Sequence, residues 1–239
     1  MEKSTIQDYQ NSNTGYNGTN PKDKQNSCLK FYAFNDDGGD KVNLILDHNT
    51  TAFIAWNSSK SNASGPNEVL TQLKKDTDSW VGTETPSNYT MDQRGQGSNA
   101  YYTIDYSGYK ARLITMNEIA KITGNITYNE ITATTFYHFD SNTNVKSDTC
   151  TGGNTSGCQY GWLYDRTNTL CTGYGCLNNS DIDSPFGGLR GYWTASSRAG
   201  DTKYAWHVYC SGLADYYAVE QSYNYGVRPV ITISKSLIK

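Results

Sequence analysis

Between residues 191 and 233 the chain is written as short aromatic runs: Gly191-Tyr-Trp-Thr-Ala-Ser-Ser, Tyr204-Ala-Trp-His-Val-Tyr-Cys, Tyr216-Tyr-Ala-Val-Glu and Tyr225-Gly-Val-Arg-Pro-Val-Ile-Thr-Ile. Runs of this length, rich in aromatic and β-branched residues and bounded by Gly, Asp, Ser and Asn, read as strands rather than helices. The fold must therefore close on a sheet of short strands. Tyr, His, Asp and Glu alternate along these runs with residues suited to packing, which is how a binding surface is written.

The material for a core is unusual. The chain has 20 Tyr and 5 Trp but only 6 Phe, and charged residues make up 18% of it. Tyr buries its ring while keeping its hydroxyl in water, so an aromatic-rich, thin core built from small strands is expected. The net charge of −3 over 239 residues indicates neither electrostatic steering toward nucleic acid nor an acidic tail. No stretch approaches the roughly 18 consecutive apolar residues of a membrane helix, so no membrane insertion is expected.

The start, Met1-Glu-Lys-Ser-Thr-Ile-Gln, is polar and lacks the apolar run of a signal peptide. Either the protein works inside the cell or the chain is a piece of an exported one. Composition favours the second: six cysteines accompany abundant Asn, Thr, Ser and Gly. Cys150, Cys158, Cys171 and Cys176 fall in Gly/Asn/Thr-rich loops and suggest small disulfide-closed loops in an oxidising compartment. Their spacings do not match the tight knuckles of a zinc ribbon. Cys150 with Cys158 and Cys171 with Cys176 are the preferred pairs among the fifteen connectivities that six cysteines allow. An extracellular or cell-surface location is expected.

Along the chain, residues 1–27 are polar, punctuated by Asn-Gly and Asn-Pro, and read as a flexible arm or linker. Residues 28–239 read as a single domain. Leu29–Phe34, Val42–Leu46 and Ala52–Trp56 have strand character, and Asn35-Asp-Asp-Gly-Gly-Asp40 between the first two reads as a hairpin turn rather than an EF-hand calcium loop, whose distal Glu it lacks. Gly65–Trp80 carries Val69, Leu70 and Leu73 at helical spacing. Tyr101–Asp105 and Tyr109–Ile114 resume strand character. Thr115 followed by Glu118 forms a capping box, and Gly124 suits the end of the helix it starts. Residues 140–190 read as long loops around Tyr160-Gly-Trp-Leu-Tyr164.

Three landmarks then fall in order. Ala111-Arg-Leu-Ile-Thr-Met-Asn-Glu118, Gly191-Tyr-Trp-Thr-Ala-Ser and Tyr225-Gly-Val-Arg-Pro-Val-Ile resemble the Arg-Leu-Pro-Thr-x-x-Glu segment, the Trp strand and the Gly-Phe-Arg closing strand of one branch of the C-type lectin fold. That branch is the one of the formylglycine-generating enzyme (the sulfatase-modifying factor). The same layout is seen in exported proteins of gut Firmicutes and in the variable proteins of diversity-generating retroelements. The resemblance covers about residues 29–233. It implies an α+β, C-type-lectin-like fold with short twisted antiparallel strands, about two helices and long disulfide-tied loops. It also implies that Arg112, Glu118, Trp193 and Arg228 are scaffold residues. A buried guanidinium needs planar, multiple hydrogen-bond partners, and Glu118 is a candidate partner.

The resemblance argues against chemistry here. The oxidases of that branch bind copper through a late cysteine pair, and only Cys210 lies in the comparable region. The sugar-binding C-type lectins carry Glu-Pro-Asn or Gln-Pro-Asp with Trp-Asn-Asp, and this chain has neither in place. The three histidines, His48, His138 and His207, belong to no metal motif. No catalytic residue, metal site or cofactor is expected.

The remaining candidate is the segment between the scaffold strands. Alternation along Tyr204–Cys210 places Trp206 and Val208 on one face and His207 and Tyr209 on the other. If the Trp206 face packs inward, His207 and Tyr209 are exposed. With Asp215, Tyr216, Tyr217, Glu220 and Tyr223 they form the expected ligand-binding set, of the residue types that binding loops favour. The expected function is recognition of a protein or glycan. The alternatives are a structural or tip subunit of a pilus or surface assembly, and, behind it, an oxidase of the formylglycine-generating type.

Overall fold

The structure, a computed structural model, describes residues 31–35, 38–46, 49–51, 53–92, 101–125, 137–139, 160–164, 191–209, 213–222 and 225–238. The N-terminal arm, all six cysteines and Tyr223 lie outside the described residues.

Strand β1 (Phe31–Asn35) turns back into β2 (Lys41–Leu46) as an antiparallel pair, with a register shift between Ala33 and Asn35. The last strand of the chain pairs with the other side of β2. It matches Val230 to Ile45 and Thr232 to Asn43, giving a three-stranded sheet with β2 at its centre. The pattern of β2 explains why it takes the middle: Val42, Leu44, Ile45 and Leu46 are all buried, so both faces of the strand find cover.

Helix α1 (Asn67–Thr77) follows Pro66, and it buries Val69, Leu70 and Leu73 along one face, as the spacing predicts. Its last turn is anchored by Asp76, which accepts hydrogen bonds from Thr50 Oγ1 and Thr51 Oγ1, both at 2.7 Å. The helix stops short of the expected Trp80, whose ring instead packs edge-on against Phe31 at 5.8 Å. A hairpin of β3 (Tyr89–Asp92) and β4 (Tyr101–Ile104) comes next.

Helix α2 (Met116–Ile122) begins where its local chemistry directs. Thr115 Oγ1 accepts from the Glu118 N–H at 3.2 Å, and Glu118 Oε2 accepts from the Thr115 N–H at 2.9 Å. Gly124 ends it with φ +74°, a left-handed conformation that favours glycine. Arg112, just upstream, closes a bidentate pair on Glu118 at 2.8 and 2.6 Å.

The second sheet is formed by β5 (Tyr137–His138), β6 (Gly191–Ser197), β7 (Tyr204–Tyr209), β8 (Leu213–Ala218) and β9 (Tyr225–Gly226), in the order β5-β8-β7-β6-β9. All pairs are antiparallel except β6 with β9. The chain ends on β10 (Val230–Ser234), the strand paired with β2. With two helices longer than one turn among the described residues and antiparallel pairing in all three sheets, the architecture is α+β.

Two expected strands are absent as strands. Thr51 makes only an isolated bridge to Val227, and Arg112 only one to Val230. Residues 53–57 form no ladder, and their N–H groups go singly to separate elements: Ile54 to the Tyr225 carbonyl and Asn57 to the Val219 carbonyl, both at 3.0 Å. Strand-like composition here marks an irregular segment rather than a ladder. Two indoles hold it in place. Trp56 Nε1 donates to the Thr194 carbonyl at 2.9 Å, and Trp193 Nε1 donates back to the Ile54 carbonyl at 2.8 Å.

The core is aromatic, as the composition indicates. Trp56, Trp193 and Trp206 are fully buried, and truncating any of them would cost about 3–5 kcal/mol. One apolar cluster joins α1, Trp56 and Trp193; a second joins α2, Tyr192, Trp206 and Val208. They lie on opposite faces of the second sheet. Arg228, buried at 0% exposure, crosses between elements: Nε donates to the Leu46 carbonyl at 2.6 Å, and its two terminal nitrogens donate to the carbonyls of Leu163 (2.5 Å) and Trp162 (2.8 Å). It thereby pins the single-turn helix α3 (Gly161–Tyr164) to β2.

Candidate binding surface on the C-terminal sheet

The two faces of the second sheet follow from its register. Trp193 opposes His207 across β6 and β7, and His207 opposes Asp215 across β7 and β8. Ala205 opposes Tyr217 and Tyr209 opposes Leu213, so His207, Tyr209, Asp215 and Tyr217 share one face. Tyr216 opposes Trp206 and belongs to the other.

His207 is the principal correction. It is fully buried, as are its neighbours Ala205, Trp206 and Val208. The inward expectation for Trp206 and Val208 holds, but the opposite face of β7 is covered too, by the cluster around Trp193. His207 lies against the Tyr225 ring at 3.9 Å and meets Trp193 (5.9 Å), Tyr209 (6.2 Å) and Tyr217 (6.4 Å) edge-on. Neither ring nitrogen has a hydrogen-bond partner. Burial without a partner penalises the imidazolium and pushes the His207 pKa down to about 3. His207 is thus a neutral core ring, unable to touch a ligand.

Tyr216 is corrected as well. Its ring packs edge-on against Trp206 at 5.3 Å and Tyr204 at 5.6 Å, and the Arg198 guanidinium lies 4.0 Å from its centroid. Arg198 is itself 3.7 Å from Asp201. Tyr216 and Tyr217 are sequence neighbours on opposite faces, so they cannot serve one patch together.

What remains in place is a smaller rim. Tyr217 is 37% exposed, with its ring edge-on to Tyr225 at 5.7 Å. Tyr209 and Asp215 are half-buried on the same face, and Glu220 is half-buried in the turn after β8. Asp215 Oδ1 accepts from the Tyr216 N–H at 2.7 Å. Tyr225 contributes a buried ring under this rim that the sequence reading missed, and Arg198 a charge on the Tyr216 face. Their signal was tertiary: nothing local to Tyr225 places it beneath Tyr217.

Among the described residues no group of three His, Cys, Asp or Glu side chains could hold a metal ion, and no helix is long and apolar enough to cross a membrane. The expected scaffold residues occupy the framework just described: Arg112 on Glu118, Trp193 on Ile54 and Arg228 on three carbonyls. No family model matches the chain, and no curated protein and no solved structure is significantly similar to it.

Proposed function

We propose that this chain is an exported or cell-surface binding domain of C-type-lectin-like architecture, recognising a protein partner through the rim of its C-terminal sheet. The observation that carries the reading is the exposed ring of Tyr217, flanked by Tyr209 and Asp215 on one face and braced from below by buried Tyr225 and His207. A rigid, partly exposed tyrosine beside small acidic groups gives contact area at low entropic cost. Glu220, in the turn after β8, lies beside the rim in sequence. A glycan is the alternative ligand.

The lectin-like assignment is supported by three placements. The segment Arg112-Leu113 leads into the capped helix, Trp193 is buried on β6 with its indole bonded to Ile54, and Arg228, just before β10, bonds the end of β2, with which β10 pairs. The rim acts by recognition without chemistry. The test is a binding screen of extracellular proteins and a glycan array, comparing wild type with the triple variant Tyr209→Ala, Asp215→Asn, Tyr217→Ala at matched melting temperature. At least about a tenfold loss of affinity, or 1.4 kcal/mol, is expected. Equal signal from both proteins defeats the rim.

A further inference from the structure

Between β1, the second half of α2 and α3 lies a cavity of about 360 Å³, walled by Phe34, Ile122, Tyr160 and Trp162. These side chains pack against the buried cluster around Trp206 yet stay half-buried themselves. The volume falls within the roughly 300–1,000 Å³ of small-molecule sites, and a cavity of about 150 Å³ is already enough for a benzene ring. The walls are preformed. Trp162 packs on Tyr32 at 5.7 Å, and Tyr160 packs edge-on to Phe139 at 6.4 Å. The backbone that carries them is clamped. The Leu163 carbonyl accepts from Arg228 and, at 2.8 Å, from the Tyr192 hydroxyl, and the Trp162 carbonyl accepts from Arg228, also at 2.8 Å. Rings already held by their neighbours lose little entropy when a ligand arrives.

The charge of this cavity is one-sided. Two ionised side chains line it, Glu118 and Lys121, about one turn apart on α2. Glu118 is already matched. Its oxygens accept from the two terminal nitrogens of Arg112 at 2.8 and 2.6 Å, and Oε2 also accepts from the Thr115 N–H at 2.9 Å. Lys121 is exposed, and among the described residues its ammonium pairs with no carboxylate. A cation entering the cavity would meet Lys121 with no carboxylate left to receive it. An anion would complete an ion pair beside an apolar wall, where the attraction is screened less than in open water. Asn35 lines the same cavity and adds an amide to its polar side. An aromatic wall beside one uncommitted ammonium calls for a ligand with an apolar body and an acidic end.

We propose that this cavity binds an aromatic carboxylate of one or two rings. The rings pack among Phe34, Tyr160 and Trp162, and the carboxylate pairs with the Lys121 ammonium and the Asn35 amide. The site uses no residue of the C-terminal rim, so it stands or falls apart from the protein-binding role. Isothermal titration of the whole chain tests it with two acids, 3-phenylpropionate and 2-naphthylacetate. Two controls are 2-(2-naphthyl)ethylamine, which reverses the charge, and acetate, which lacks the rings. At least one aromatic acid saturates wild type, and its affinity falls as salt is raised. The amine and acetate bind at least about tenfold more weakly. Lys121→Met keeps the apolar stem and removes the charge at an exposed position, so it melts as wild type does. It binds the acid at least about tenfold more weakly, while Tyr217→Ala binds it as wild type. The proposal is overturned if neither acid binds, if the amine or acetate binds as tightly as the acid, or if Lys121→Met binds as wild type. Parallel weakening in Tyr217→Ala overturns it too.

Discussion

Acid should weaken this fold through one ring. In the folded chain His207 holds no proton until about pH 3, because its imidazole is buried with both nitrogens unpartnered. In the unfolded chain it takes one near its ordinary value of 6.5. Between those two values the unfolded state binds more protons, so stability falls as pH drops, and the contribution is intact only above pH 6.5. Integrating from pH 7.5 to 5 gives a loss of about 2 kcal/mol from this group alone, or roughly 4–8 °C in Tm for a chain of this size. The described titratable groups around it are Asp215 on β8, Tyr209 on its own strand, and Tyr217 and Tyr225. The assay is urea unfolding from pH 7.5 to 5 on wild type and His207→Phe, which keeps a flat ring beside Trp193 and Tyr225. Other groups titrate equally in both proteins, so the difference in slope isolates His207. Any packing cost of the larger ring shifts the variant uniformly and leaves its slope alone. Parallel losses in the two proteins would refute the buried, unpartnered imidazole.

Glu118→Ala removes the side-chain half of the capping box, the bond from the Thr115 N–H, and leaves Arg112, whose side chain is 14% exposed, without its carboxylate; a loss of about 2–4 kcal/mol is expected by chemical denaturation. Gly191→Ala should prevent folding, since the new methyl would sit 1.8 Å from the Val208 carbonyl oxygen, and relief requires β6 and β7 to part. A dispersed amide spectrum from that variant would contradict the close approach of the two strands.

The parts of the fold that were legible in the sequence are those whose cause is local. Thr115 and Glu118 sit three positions apart, so the capping box can be read without knowing what the helix packs on. The Trp and Tyr content foretold an aromatic core, and the expectation that Arg228 is partly buried needed the likeness of its segment to a known closing strand rather than any local cause. Alternation along β7 sorted residues correctly into faces, but it is silent on which faces are covered. His207 was read as exposed because one covered face was assumed to leave the other open, and here both are packed. The closeness of Asn35 and Trp162 was not legible for a related reason: the two are more than a hundred positions apart, and the Arg228 clamp of α3 onto β2 brings them to one cleft.

That pairing has a consequence for how the chain acquires its structure. Asn43 and Thr232 touch across 189 positions, so the first sheet cannot be completed until the segment of β10 has been synthesised. Such distant partners make a slow folder, with the β10 edge of β2 exposed meanwhile. The same topology makes nearly everything between them one closed loop. The entropy of closing a loop grows only logarithmically, by about 0.6 kcal/mol per doubling. Insertions between β2 and β10 are therefore cheap in stability, while the timing of folding is set by its ends.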